Sequence, residues 1–331
     1  MHMKPEEKAE LIEKIELSGT NRKKLLGSLE IPVSTYYYWR EVYWAKGING
    51  LVKMSTRPEK VWNRIMPDEE KIILYEAKTH PELTPRLIAI KITDNKGFYV
   101  GEKTVYRLLK KYNLIAPKPL EEIPAAKEYR RKTTYPDEMW QCDGTSMFVS
   151  GWGFYKYIPV LDDYSRYALT DELKLDETGY SISDAMEAAM EEARSLGHTL
   201  DPKPLLLSDN GSAFAGEVLA AYLRVHGIVH IFGKPFHPQT QGKVERFNRT
   251  TKSKTVNLIV YCSPDELQAA LSAAIKIYNH TPHTALSNVS PYDVYMGRKE
   301  EILNRRADLK KLTLERRKKY NLGTKEVEKD V

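Results

Sequence analysis

Three acidic residues stand where simple packing does not explain them. Asp143 lies in MWQCDGTSMFV, a stretch that we predict to be a strand entering a core, and Asp209 ends the apolar stretch PLLLSD. Glu245 is the one acid in HPQTQGKVERFNRT, residues 237–250, among three basic side chains. An unpaired carboxylate inside a core is costly. Asp143, predicted in the middle of its strand, is therefore the position that most needs a chemical explanation.

Each acid also has a structural interpretation. Asp209 precedes Asn210-Gly211 and could belong to a turn, and Glu245 in the first turn of a helix would complement the helix N-terminus. If the three acids converge, their mutual repulsion requires a cation, and hard carboxylate oxygens suit Mg²⁺ or Mn²⁺. The three positions therefore predict a metal site, provided that the fold brings them together.

The elements around the acids predict an α/β domain over residues 136–297. Three strands in a meander lead to an amphipathic helix, and a wholly apolar strand, a helix, a short strand and a further helix near Gly242 follow. A short strand without polar positions is typical of one buried on both faces of a sheet. This order predicts a mixed five-stranded sheet with flanking helices, of ribonuclease H-like type.

The first third of the chain predicts two all-α helix-turn-helix domains in tandem, residues 4–56 and 68–116. A linker at 57–67 separates them, and a basic, proline-containing linker covers 117–135. A plain helical hairpin is the alternative for each unit, but two basic units in succession favour DNA. The candidate DNA contacts in this region are Ser34, Thr35, Tyr36, Tyr37, Arg40, Lys103, Thr104, Arg107, Arg130 and Arg131.

The charge distribution agrees with a nucleic-acid partner. The net charge is +8 over residues 1–135, −7 over 136–297 and +5 over 298–331. Basic flanks suit a polyanion and an acidic middle suits cations, although ordinary solvated surface would look similar. Two cysteines are too few for a disulfide framework or a zinc cluster, and no apolar run approaches a membrane span. We therefore expect a soluble, cytoplasmic protein.

Several ordered motifs resemble the DDE integrase and transposase superfamily. They are WQCDGT around Asp143, SDNGSAF around Asp209 and HPQTQGKVERFNRT around Glu245, with 35 residues between the last two acids. LDDYSRYAL and YNHTPHTAL extend the resemblance to bacterial insertion-sequence transposases with a retroviral-integrase-like core, over roughly residues 20–297. Two positions depart from the pattern. Gly144 replaces the usual β-branched residue, and Thr281 replaces the usual arginine before Pro-His.

The resemblance implies a reaction and a set of ligands. Asp143 would bridge two Mg²⁺ ions, for which Mn²⁺ can substitute, while Asp209 and Glu245 each complete one site. Water would expose a 3′-hydroxyl at the element end, and that hydroxyl would attack target DNA. Candidate DNA contacts around the site are Asn210, His237, Lys243, Arg246, Asn248, Arg249 and Lys252.

The partners that follow are double-stranded DNA and further copies of the chain. A structure-selective nuclease of the same fold, or an inactive or domesticated homologue that acts as a sequence-specific regulator, is the alternative. The basic tail, residues 298–331, is too sparse in apolar residues for a strong coiled coil. We expect it to be a disordered tail or, preferably, a helix that orders on DNA or on a neighbouring subunit.

Overall fold

The computed structural model describes residues 3–19, 21–52, 61–115, 133–233 and 242–323. The chain divides into two compact units, Met1–Trp62 and Asn63–Val331. Arg130, Arg131 and His237, three of the predicted DNA contacts, lie outside the described residues, as does the predicted loop at 237–241.

The first unit is a small helical bundle. Its helices are α1 (Pro5–Leu17), α2 (Arg22–Ser28) and α3 (Val33–Lys46), followed by a 3₁₀ turn at Ile48–Leu51. Asn21 caps α2 by accepting a hydrogen bond from the Lys23 amide. Pro32 is the N-cap residue of α3, and because it has no amide hydrogen, it separates α3 from α2. The core residues are Ile12, Ile15, Leu26, Tyr36 and Leu51.

The second unit begins with another three-helix bundle. Its helices are α4 (Pro67–Thr79), α5 (Pro85–Asn95) and α6 (Glu102–Lys111). Thr84 accepts the Leu87 amide and so caps α5. Ile73, Ile88, Ile92, Val105 and Leu109 form its core. The sequence predicted an all-α segment over residues 68–116, and these three helices cover nearly the same range.

Within the described residues, the strands form two sheets. The strands are β1 (Met139–Cys142), β2 (Thr145–Val149), β3 (Gly153–Tyr157), β4 (Val160–Asp162), β5 (Leu173–Lys174), β6 (Leu205–Ser208) and β7 (His230–Phe232). One sheet has the order β4-β1-β6-β7 and the other the order β2-β3-β5. The β1–β6 and β6–β7 pairs are parallel, while β1–β4, β2–β3 and β3–β5 are antiparallel.

The prediction of one five-stranded sheet is wrong in a specific way. Two predicted strands are each divided in two, at Asp143-Gly144 and at Ile158-Pro159. Proline cannot donate a hydrogen bond to a ladder. Asp143-Gly144 and Ile158-Pro159 lie opposite each other, between the pairs Cys142–Val160 and Thr145–Tyr157, and so leave both ladders. Asp143 therefore lies between β1 and β2, whereas the sequence predicted it in the middle of a strand.

Helices cover both faces of the β4-β1-β6-β7 sheet. They are α7 (Gly179–Ser195), α8 (Glu217–His226), α9 (Gly242–Lys254), α10 (Pro264–His280) and the short α11 (Pro291–Tyr295). Helices α7 and α8 share a core with Trp140 and Cys142. Helices α9 and α10 share another core with Met147 and Leu161. Neighbouring strand residues therefore point into different cores, as the two-residue period of a strand requires.

The tail is a long helix that packs on its own chain. Helix α12 (Lys299–Gly323) lies against the α4–α6 bundle. The Arg306 guanidinium makes a bidentate pair with Asp94, at 2.8 and 2.7 Å. The Thr313 hydroxyl accepts the Tyr99 amide at 2.8 Å. The expectation that this segment needs DNA or a neighbouring subunit to become ordered is therefore wrong for residues 299–323, because their partners belong to the second unit.

The most buried contact of α12 is centred on Glu69. This carboxylate is fully buried and accepts Arg317 Nε at 2.8 Å and Arg316 Nη2 at 2.7 Å. Arg317 is also buried and donates to the Tyr99 carbonyl oxygen. Glu69 also accepts the Met66 amide, so one carboxylate joins the start of α4 to α12.

Replacing Glu69 should release α12. We expect Glu69→Ala to cost about 3–5 kcal/mol, because it leaves the Arg317 guanidinium buried and unpaired. Hydrogen exchange in the full-length protein should then speed up across residues 299–323. Arg305→Ala removes an exposed arginine from the same helix and should leave exchange unchanged. Equal protection in the Glu69→Ala protein would contradict this account of the tail.

Candidate active site

Asp143 is the centre of the candidate site. It is partly buried, and its Oδ2 accepts a hydrogen bond from Asn248 Nδ2 at 3.0 Å. The pKa of Asp143 is raised to about 6, mainly by burial and also by repulsion from Asp209, Glu177 and Glu245, while the Asn248 hydrogen bond opposes the rise. The three predicted acids are thus close enough to interact electrostatically, and a fourth acid joins them.

Asp209 follows β6, the strand that runs parallel to β1. Its Oδ1 accepts the Gly211 amide at 2.9 Å, so Asp209 does take part in the turn that its sequence suggested. Asn210, predicted to contact DNA, donates instead to the Gly233 carbonyl oxygen at 3.0 Å, where β7 has just ended. Asn210 therefore fixes the chain beside the site in this structure.

Glu245 occupies the first turn of α9 and is exposed. Val244 and Phe247, on the other side of the helix, are buried against β2 and α10. Asn248 lies one helical turn after Glu245 and is buried by its contacts with Asp143. The helical spacing predicted that Glu245 and Asn248 share a face, and the contact of Asn248 with Asp143 places that face at β1.

Glu177 is the residue that sequence reasoning missed. Its carboxylate lies over Gly144, where an added Cβ would come within 2.2 Å of Glu177 Oε1, and it pairs with Lys156 at 2.9 Å. The signal in the sequence was Gly144, which the sequence analysis gave as a departure from the motif that it resembles. The space that a side chain at this position would take is filled from the loop before α7.

Lys243 was predicted to contact DNA, but in the structure its side chain binds Asp163. Its ammonium lies 2.7 Å from Asp163 Oδ2 and 2.9 Å from the Asp163 carbonyl oxygen. Gln141 Nε2 donates to Asp163 Oδ1 at 2.6 Å, and Gln141 Oε1 accepts the Val244 amide at 3.2 Å. These contacts tie the start of α9 to β1, so Lys243 has a structural role that the basic sequence context concealed.

The remaining predicted DNA contacts divide by exposure. Tyr36 is fully buried and donates to Glu16 Oε1 at 2.8 Å, and Arg40 pairs with the same carboxylate at 2.9 Å. Tyr36 is therefore a core residue of the first unit, which corrects its assignment as a DNA contact. The other described candidates are exposed or partly exposed, namely Ser34, Thr35, Tyr37, Lys103, Thr104, Arg107, Arg246, Arg249 and Lys252.

The donor set agrees in part with a metal site. Asp143, Asp209 and Glu245 supply hard carboxylate oxygens, and their repulsion is the kind that a divalent cation relieves. Asn248 Oδ1 is buried without a hydrogen-bond partner and lies on the side chain that binds Asp143. Among the described residues, no three His, Cys, Asp or Glu side chains are close enough together to hold one ion. The chemistry fits Mg²⁺, while the ligand shell is incomplete.

The comparisons identify the class of this domain. Residues 133–238 and 226–291 each match a family described as Integrase core domain. Together these matches include all three acids and the strands and helices that carry them. Residues 133–291 therefore form a catalytic core like that of DDE integrases and transposases.

Individual relatives are distant. The chain is 24% identical to the Pro-Pol polyprotein of feline foamy virus over 238 residues, which are 71% of this chain and 20% of the polyprotein. It is 33% identical to a Pol-related polyprotein of mouse intracisternal A-particle MIA14 over 120 residues, 36% of this chain and 13% of that one. The chain thus spans a fifth or less of these polyproteins.

A solved structure shows the same level of similarity. The HTLV-2 integrase catalytic core domain in complex with magnesium is 21% identical, with a TM-score of 0.36, over 49% of this chain and 97% of that one. The bacterial insertion-sequence origin expected from the motifs stays a prediction. No helix in the described ranges is both long and apolar enough to cross a bilayer.

A side chain at position 144 should displace Glu177. In Gly144→Ala the new methyl group would occupy the position of the Glu177 carboxylate and break its pair with Lys156. Because that pair is partly exposed, we expect a loss of at most about 1 kcal/mol. The loss should disappear in a Glu177→Ala background, which removes the three atoms nearest to the added methyl group. Thermal unfolding of the four proteins checks this, and an equal loss in both backgrounds would rule out the steric explanation.

Proposed function

We propose that this protein is a DNA transposase that cleaves the 3′ ends of a mobile element and joins them to target DNA. The proposal is carried by two contacts within the integrase-core match: β1 pairs in parallel with β6, and Asn248 on α9 hydrogen-bonds Asp143, so the segments that carry Asp143, Asp209 and Glu245 meet. These three acids come from distant parts of the chain, and no packing advantage accounts for bringing like charges together.

The chemistry follows from the carboxylates. Two divalent cations at such a site supply an activated oxygen nucleophile and stabilise the leaving oxygen of a phosphodiester. Asp143, Asp209 and Glu245 would hold these cations through their carboxylate oxygens. Asn248 orients Asp143 through its 3.0 Å hydrogen bond. No serine or tyrosine nucleophile is required.

Basic side chains beside the acids provide the DNA contacts. Arg246 and Arg249 follow Glu245 on α9 and are exposed, and Lys252 is partly exposed. Cations on the helix that carries Glu245 would hold phosphates next to the site where cleavage takes place. Joining two element ends also requires two active sites, so the working form is a homo-oligomer on double-stranded DNA.

The two N-terminal bundles are the proposed readers of the element ends. In α6 the apolar side packs inward, while Lys103 and Arg107 are exposed. In α3, Ser34 and Tyr37 are exposed near the helix start. Small polar, aromatic and basic residues at the start of such helices suit phosphates and base edges.

Neutral substitutions of the acids test the proposed chemistry. We expect Asp143→Asn, Asp209→Asn and Glu245→Gln each to abolish strand cleavage and strand transfer, because the amides no longer bind cations, while binding to element ends stays nearly intact. Glu217→Gln is the matched control, since Glu217 is also an exposed acid in the first turn of a helix. Wild-type cleavage in Mg²⁺ by any of the three variants would falsify the assignment.

The same assay separates the alternatives. Cleavage of branched or flapped DNA without preference for element ends would indicate a structure-selective nuclease. Specific end binding without cleavage by the wild-type protein would indicate a regulator.

A substitution on α6 tests the reading of DNA. We expect Arg107→Gln to weaken end binding and to lower the slope of log affinity against log salt by about one, as for the loss of one phosphate contact. Lys71→Gln removes an exposed lysine from α4 of the same bundle and serves as control. Footprinting and titrations at several salt concentrations check this. Unchanged affinity and slope in Arg107→Gln would exclude α6 from the DNA interface.

A further inference from the structure

The start of α9 is held by a network that neither packing nor DNA binding explains. Lys243 lies in the first turn of this helix, where the helix dipole disfavours a cation. Its ammonium is nonetheless mostly buried, on the nearly fully buried Asp163. A lysine that serves DNA alone would extend into solvent, as its neighbour Arg246 does.

Asp163 collects contacts from separate parts of the fold. Its Oδ2 accepts Lys243 Nζ and the Thr133 hydroxyl, at 2.7 and 2.6 Å. Its Oδ1 accepts Gln141 Nε2 at 2.6 Å. Its own amide donates to the Met139 carbonyl oxygen on β1 at 2.9 Å. Asp163 is thereby fixed to β1 and offers one charged anchor to α9.

Gln141 completes the connection. It is buried on β1, two residues before Asp143. Its Oε1 accepts the amide of Val244, one of the first-turn donors that a helix cannot satisfy internally. Val244 is next to Glu245 in sequence, so this bond fixes the backbone that carries the third acid.

We propose that Lys243 and Asp163 are positioning residues that hold α9 against β1, so that Glu245 and Asn248 are presented to Asp143. This inference rests on the proposed function for its consequence in cleavage, while the positioning itself is a property of the folded chain. Two contacts define the placement of the helix. Gln141 holds Val244 at the helix start, and Asp143 holds Asn248 one turn later.

The test uses Lys243→Met, which keeps most of the apolar stem and removes the charge. We expect cleavage of element ends to fall about 100-fold, as for a reacting group displaced by about 1 Å. The Val244 amide should exchange faster with solvent, and titration with Mn²⁺ alone should show weaker binding. The salt slope of DNA binding should be unchanged. Arg246→Gln, on the same helix turn, should lower the slope by about one without changing Val244 exchange.

Lys243→Met leaves the Asp163 carboxylate buried without a counter-charge, and this single variant can fail to fold for that reason. A double variant then keeps the test decisive. Asp163→Asn/Lys243→Met removes both charges and should cleave no more slowly than Asp163→Asn alone, because both single changes break the same pair. Losses that add, or a Lys243→Met protein with a reduced salt slope and normal Val244 exchange, would overturn the proposal and make Lys243 a DNA contact. If the wild-type protein cleaves no DNA, the proposed function fails, while Val244 exchange and Mn²⁺ binding still decide the positioning role.

Discussion

The structure depends on holding like charges together. Burial makes the charge on Asp143 costly, and Asp209, Glu177 and Glu245 repel it further, so that the pKa of Asp143 rises to about 6. The fold opposes this repulsion with neutral hydrogen-bonding contacts around the acids. Asn248 binds Asp143, the Gly211 amide binds Asp209, and Gln141 holds the backbone next to Glu245. A site that needs so many restraints without a cation is suited to bind one.

The same principle of a buried acid with several partners recurs where the segments of the second unit meet. Glu69 connects the start of α4 to α12, and Asp163 connects β1 to α9. In both cases a carboxylate that would be unstable alone is compensated by basic groups from a distant part of the sequence. Segments that look independent along the chain, such as the basic tail and the α4–α6 bundle, therefore belong to one structural unit.

Much of this architecture could be predicted from the sequence. Periodicity located α4 to α7 and the start of α9, and the spacing of the acids indicated the catalytic class before any coordinates were known. The division of the sheet at Pro159 and at Asp143-Gly144 was not predicted, because strand propensity does not report where a ladder changes partners. Lys243 and Tyr36 were assigned to DNA because a sequence shows residue type but not which distant carboxylate, Asp163 or Glu16, is the partner. Glu177 was missed because its place over Gly144 is a contact between remote segments.

The central claim is that Asp143, Asp209 and Glu245 together bind the metal that DNA strand transfer uses. The most direct measurement is a crystal structure of the full-length protein grown with Mn²⁺, with anomalous scattering used to locate the ion. We predict an anomalous peak in contact with Asp143 and with at least one of Asp209 and Glu245, lost in the Asp143→Asn protein. A map with no peak at Asp143, or a peak held by other side chains and retained in Asp143→Asn, would contradict the account.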